Sequence, residues 1–544
     1  MPITDGHVRA AMDVVDTTTG VVAGLRAAEH LAITASRSTD PAAAAADLRA
    51  RIVAPGGGAG DDQLAVIAAV HALSAVDDEC AVDVLTAALF DDRWFVSEHA
   101  AWALSARHAH RPAIARLVQI VAAGGFRAML AQRTLGCWAP TAAGDVHDAV
   151  VAALTRSSSA GDRTRLVDTL GLVVGTPSLD RLVEVAADPG EWPDVRIAAA
   201  AALGDRSDGD SRLLAQLAAG DDDLALHALL GLADRAMPTG AEVTAGRDSL
   251  QIAQLYLHAD GALVRAGAGD NGGIATLLAL LSSCLVELPD VGGVVTMARG
   301  SAGDALRDVW SAQDGEQFAA VPFGPPESVD IRSAWPYRIA VERGIRRVLA
   351  GDRRPHVVHL RLADVGTLGA ATVARRLAIP TVFTAAPDPH VVVRVLEADG
   401  ALSRENFGDA DELEHWWFRA RMVERLTSQA DRIALLPRPA VRKDLRELLG
   451  HDIDDTPDRS AVIPEGVHAR RVRAPARAVA EAARGSAPPG LDRLVDAVRR
   501  LPPGRHGLPL IVTIGRLHPA KGIDRVAAAW ATHPALHSAT NLVV

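Results

Sequence analysis

Lysine is nearly missing from this sequence. Of the 56 Lys and Arg residues only Lys443 and Lys521 are lysines, which leaves 54 arginines, the bias of a GC-rich coding sequence. A lysine retained against that bias marks a position where a compact ammonium suits better than a guanidinium fork. Aromatics are also scarce, at 3%, so cores must be packed from the small aliphatics that dominate the 49% hydrophobic content. The three cysteines, Cys80, Cys137 and Cys284, are too far apart for a CxxC pair or metal-ligand spacing. They exclude a disulfide framework and a cysteine zinc site, and they read as reduced core thiols. Positive charge is in deficit: a net charge of −11 gives no general attraction to nucleic acid or to an acidic membrane surface. Long hydrophobic runs are missing too. The longest, Ile274 to Val286, contains two serines and is too short to span a bilayer. The first residues, MPITDGHVRAAMDVV, lack a basic segment leading into an apolar one, so no signal peptide is expected. The expectation is a cytoplasmic protein with no transmembrane segment and no nucleic-acid partner.

At 544 residues the chain has room for several domains. Its first 240 residues carry a repeat. Similar helical words recur around Leu73, Leu104, Leu135, Leu170, Leu203 and Leu232, with spacings of 31, 31, 35, 33 and 29. Loops rich in Asp, Gly or Pro separate the helices. A period near 30 with two helices per unit is what an α-solenoid requires, because one helix pair cannot bury its apolar stripe alone. The pattern resembles HEAT-like repeats over 61–240, with 1–60 as an N-terminal helical cap. An irregular helical bundle is the plain alternative.

Past residue 245 the pattern changes to apolar runs of strand length alternating with helical segments: LQIAQLYL, VGGVVTMA, VVHLRL, PTVFTAA, DRIALLP and AVIPEGV. Such alternation implies a mostly parallel sheet in a Rossmann-like α/β domain over 245–472. A Pro, Arg and Ala-rich stretch, 473–507, reads as a linker with one helix. A second β–loop–α unit starts at 508 with LPLIV and runs to NLVV at 544.

The chemistry is expected in that second unit. In IGRLHPAKGIDRV, a strand hands over to a helix through Gly515, Arg516, Lys521 and Gly522. A parallel strand delivers its following loop to the carboxyl edge of the sheet, where the next helix presents unpaired N–H groups. Arg516 and Lys521 would add two positive charges suited to a diphosphate, with Gly522 allowing close backbone approach. A solvated surface loop is the bland alternative. Against it stands the rarity of lysine, about one in 28 basic residues here. Upstream, GDNGGIATLLALL places Gly272 and Gly273 at the start of a helix after a strand, open to an anionic or polar ligand.

GRLHPAKGIDRV resembles the start of the second Rossmann domain of family 4 glycosyltransferases with the GT-B fold, in the sucrose synthase and sucrose-phosphate synthase branch. GDNGGIATLLALL resembles that branch's glycine-rich loop. PHVVHLRLADVG is similar to its strand and loop carrying a His and an Asp, here His359 and Asp364, and AVIPEGV is similar to the segment that closes the first domain. The resemblance covers roughly 250–544. It implies a retaining enzyme that moves a sugar, by the branch's habit glucose, from a UDP- or ADP-sugar to a hydroxyl of a sugar or sugar-phosphate acceptor. No cofactor or obligatory metal is implied. Arg516 and Lys521 would be catalytic, stabilising charge on the leaving diphosphate. Gly272, Gly273, Gly515, Gly522, His359, Asp364 and His390 would bind donor or acceptor.

Two departures matter. Where that branch reads roughly T-G-H-S, this chain reads FTAAPDPH, so Ala386 takes the place of a His that contacts the donor sugar; Asp388 or His390 are the available substitutes. Only 36 residues follow position 508, whereas a Rossmann domain needs about 100. The chain is therefore expected to be an incomplete and inactive piece of the enzyme. The repeats are expected to bind a protein partner or to mediate self-association. The rival reading is a non-catalytic HEAT-repeat scaffold with a degenerate glycosyltransferase-like domain. The helical segment DELEHWWFRARMVERL, with Glu412, Glu414, His415 and Glu424, is read as one long helix with a Trp416/Trp417 packing patch and not as a metal site. A nucleophile elbow and a Walker A loop are both absent from the sequence.

Overall fold

A computed structural model describes residues 6–54, 62–237, 249–260, 272–310, 315–325, 327, 329–351, 354–384, 389–437, 441–464, 466, 469, 473, 477, 492–515 and 522–544. They form two compact units, Met1–Val264 with Leu277–Pro464, and Arg265–Thr276 with Glu465–Val544.

The first unit begins with thirteen α-helices, from Gly6–Thr17 to Asp223–Ala236. The acidic loops seen in the sequence are where helices start. Asp40, Asp62, Asp78, Ser159, Asp210 and Asp222 each accept a hydrogen bond from a backbone N–H of the following first turn, satisfying donors that have no partner within the helix. The repeated leucines point inward: Leu73, Leu104, Leu135, Leu170 and Leu203 are fully buried, and Leu232 is half-buried. The helix Gly125–Arg156 bends at Ala142, two residues after Pro140. The helices Pro193–Asp205 and Asp223–Ala236 meet at two glycines. A Cβ on Gly204 would lie 2.3 Å from the Gly231 Cα, so Gly204 has no room for a side chain, and one on Gly231 would be tight, 3.3 Å from the Gly204 Cα.

Three residues beyond four of the six repeated leucines, a side chain donates to the carbonyl at the matching position one unit earlier. Arg107 Nη1 donates to the Val76 carbonyl at 2.6 Å, and Trp138 Nε1 donates to the Arg107 carbonyl at 2.8 Å. Arg206 donates to the Val173 carbonyl and Arg235 to the Arg206 carbonyl. Equivalent positions thus stack on equivalent positions.

The sheet of the first unit has seven strands: β1 (Leu250–Asp260), β2 (Val291–Arg299), β3 (Gly315–Val321), β4 (Val357–Leu360), β5 (Thr381–Thr384), β6 (Arg432–Leu435) and β7 (Ser460–Val462). Their order is β3-β2-β1-β4-β5-β6-β7 and every pairing is parallel. The chain direction across the sheet reverses between β1 and β4. Leu255, Leu257, Val358, Leu360, Phe383 and Ile433 form one core with residues of the helices Arg338–Ala350, Val365–Arg376 and Trp416–Gln429. This is an all-α region followed by an α/β domain. The second unit contains β8 (Leu510–Val512) and β9 (Asn541–Val543), also paired in parallel, with the helices Asp492–Arg499, Ile523–Thr532 and Pro534–Ala539.

The helical region and the seven-stranded domain share cores. Trp416, Trp417, Phe407 and Val393 are buried in the same cluster as the helical leucines, and Phe126, Met129 and Leu130 of the helical region join the core of the sheet. Polar bonds cross as well. Arg404 bonds the Asp62 carboxylate and the carbonyls of Val15 and Thr18. Arg347 forms a two-pronged pair with Asp234, 2.7 Å on each side, with side chains 5% and 1% exposed.

Two expectations need correcting. The three cysteines are free but exposed, because each falls on the solvent side of its helix rather than on the buried stripe. The segment from Asp411 onward is two helices, Phe407–Glu414 and Trp416–Gln429, broken at His415, whose φ is +54°. The break is set by Asp411, whose Oδ1 accepts the Trp417 N–H at 2.7 Å and so caps the second helix, while the His415 ring stacks on Phe126 at 3.6 Å. Among the described residues no helix is long and apolar enough to cross a membrane.

Candidate functional site

In an open parallel sheet, ligands bind beyond the carboxyl ends of the strands, at the point where the strand order reverses. Here that point lies between β1 and β4. Near the end of β1 stands His258, and just beyond β4 stands Asp364. Their side chains, 1% and 5% exposed, meet with His258 Nε2 3.0 Å from Asp364 Oδ2. Asp364 Oδ1 accepts the Thr367 N–H at 2.7 Å, capping the helix Val365–Arg376. That helix can come so near β1 because Gly366 has no side chain: a Cβ there would sit 3.1 Å from Leu257 atoms. Burial works to raise the Asp364 pKa, but the bond and charge of His258 and the two donors of Thr367 outweigh it and hold the carboxyl below its usual range.

One strand over, His359 on β4 shares a proton with Thr384 Oγ1 of β5 at 2.7 Å. Burial, with a smaller push from Arg361, lowers its pKa to about 4. The imidazole is therefore neutral at neutral pH, able to donate from one nitrogen and accept at the other. His390, in the first turn of the helix Pro389–Ala398, is fully buried and lies 3.3 Å from Glu424 Oε1. Arg421 joins this group, bonding Glu424 at 2.7 Å and the Leu25 carbonyl at 2.7 Å. The geometry gives His390 a part in joining the helical region to the sheet domain. Arg419, its pKa lowered chiefly by burial, lies over the Trp416 ring at 5.0 Å.

Among the sequence-derived candidates, then, His359 and Asp364 both come to the carboxyl end of β4, whereas His390 is buried beside Glu424. Gly272 and Gly273 open the helix Gly272–Leu285, and a Cβ on Gly273 would meet open space. In the second unit Gly515 is an exposed bend. Gly522 is the N-cap of the helix Ile523–Thr532 with φ +61°, a left-handed conformation that explains a glycine there. Arg516, Lys521, Ala386 and Asp388 lie outside the described residues. The partner of Asp364, His258, was not singled out in the sequence; its only signal is a histidine closing an apolar strand in LQIAQLYLHAD.

Chemically, a neutral imidazole beside a buried hydroxyl and a fixed His–Asp pair present donors and acceptors suited to hydroxyl groups. Among the described residues the one set of side chains able to hold a metal ion is elsewhere, at Glu98, His99 and Asp411. No protein-family model matches the chain, and no curated protein matches it.

Proposed function

We propose that this chain is a cytoplasmic GT-B glycosyltransferase of the family 4 type, fused to a HEAT-like solenoid. It would transfer a glucosyl group with retention from UDP- or ADP-glucose to a hydroxyl of a sugar or sugar phosphate. The observation that carries the reading is the strand order, with its reversal at β1 and β4 where His258, Asp364 and His359 gather. A second parallel pair, β8–β9, and the left-handed Gly522 at the start of its helix agree with the motif that resembles the family's diphosphate loop. On this reading Arg516 and Lys521 neutralise the diphosphate as the bond to the sugar carbon breaks, and His359 and its neighbours position sugar hydroxyls. The ladder through positions 76, 107 and 138, resumed through 173, 206 and 235, favours the solenoid over an irregular bundle.

Calorimetric titration of the full-length protein with UDP-glucose and ADP-glucose tests the proposal. A charge-assisted contact contributes about 1.5–3 kcal/mol, so Lys521→Ala should weaken binding by about 10- to 100-fold. Equal affinities for wild type and Lys521→Ala would remove the assigned role. Ala386 at the position of the expected His favours the scaffold reading, under which neither nucleotide sugar binds at all.

A further inference from the structure

Where the helical region meets the sheet domain, the structure gathers metal-binding side chains that sugar transfer does not use. Glu98 and His99 are consecutive on the helix Trp94–Ala103, and Asp411 lies on the helix Phe407–Glu414. Both residues on the first helix point into protein because that helix is buried nearly all round, from Phe95 to Ala101. One ligand atom from each of the three residues lies within 4.8 Å of the others. The residues are 4%, 2% and 1% exposed.

The atoms facing away from this point are already held. His99 Nδ1 shares a proton with His71 Nε2 at 2.9 Å, and the His71 ring stacks on Trp417 at 5.0 Å. Asp411 Oδ1 accepts the Trp417 N–H. Such outer bonds are how metal-binding imidazoles and carboxylates are oriented. The atoms facing inward are not satisfied. His99 Nε2 is 3.3 Å from Asp411 Oδ2 and makes no hydrogen bond, and Glu98 Oε1 is buried without a hydrogen-bond partner. A cation between these atoms would give both of them the partner they lack.

We propose that Glu98, His99 and Asp411 bind one divalent transition-metal ion that ties the helical region to the sheet domain. One imidazole and two carboxylates suit zinc or manganese. The ligands are enclosed, so the ion would enter as the protein folds and act structurally, independently of any sugar transfer.

The test uses the full chain expressed in medium supplemented with zinc and manganese and purified without chelator. Elemental analysis should find about one equivalent of one of these metals per chain. Dialysis against EDTA should lower the Tm, and the metal should restore it. Glu98→Gln, which keeps the shape and removes the charge, should hold at least about tenfold less. Refolding the wild type with cobalt should give visible d–d bands, a readout that does not depend on the variant folding. Wild type with under a tenth of an equivalent, no cobalt bands and a Tm indifferent to chelator would overturn the proposal. Equal loading of Glu98→Gln would do the same.

Discussion

The pair Arg347–Asp234 offers a direct measure of how firmly the helical region is joined to the sheet domain. Arg347 lies on the helix Arg338–Ala350, Asp234 on Asp223–Ala236, and both bonds are 2.7 Å long between side chains almost wholly out of solvent. Removing one partner leaves the other charge buried and alone, which costs about 3–5 kcal/mol. Replacing both with apolar groups leaves nothing uncompensated, so a double change costs far less than the sum. We therefore expect Arg347→Met and Asp234→Leu each to destabilise by about 3–5 kcal/mol, and the double variant to cost less than either single change. The assay is urea unfolding followed by tryptophan fluorescence, which reads both regions because Trp138 is buried in the helical core and Trp335 in the core of the sheet. If the single variants cost under about 1 kcal/mol and their effects simply add, the pair is solvated and the reasoning fails.

Two further outcomes follow from burial and charge. Leu135→Ala, at a fully buried repeat position, should cost about 2–5 kcal/mol. Leu232→Ala, at the half-buried last position, should cost markedly less in the same denaturation assay. His359 has its pKa lowered from 6.5 to about 4, so the unfolded chain takes up its proton first as pH falls. Its contribution is present above pH 6.5 and is lost progressively towards pH 4, in total about 3 kcal/mol. His359→Gln, which can keep the bond to Thr384, should flatten that part of the stability–pH profile. An unchanged slope between pH 4 and 6.5 would show that another group controls it.

Much of this architecture is written locally in the chain. The all-α region was legible in its helical spacing, with leucines recurring every 29–35 residues, and most strands were legible as short apolar runs. Strand β3 was not recognised: GEQFAAV has a polar first half, since only Ala319 to Val321 are buried. The break at His415 carries no Gly or Pro to announce it; it depends on the Asp411 carboxylate reaching the Trp417 N–H. The site divides the same way. Asp364 sits in a readable strand–loop–helix motif, but its partner His258 comes from a strand 106 positions earlier. Likewise Glu98 and His99 meet Asp411 from more than 300 residues away, so no spacing in the sequence could reveal that group.

The shared cores have a consequence for recognition. A helical region can offer an apolar face to a separate molecule, and that encounter must overcome lost translational freedom. Here the surface formed by Leu64, Phe95 and Phe126 is already covered by a guest carried on the same polypeptide. Tethering keeps that guest at a high effective concentration whatever the dilution of the protein. An outside partner would compete against a permanent resident, or settle for the opposite side.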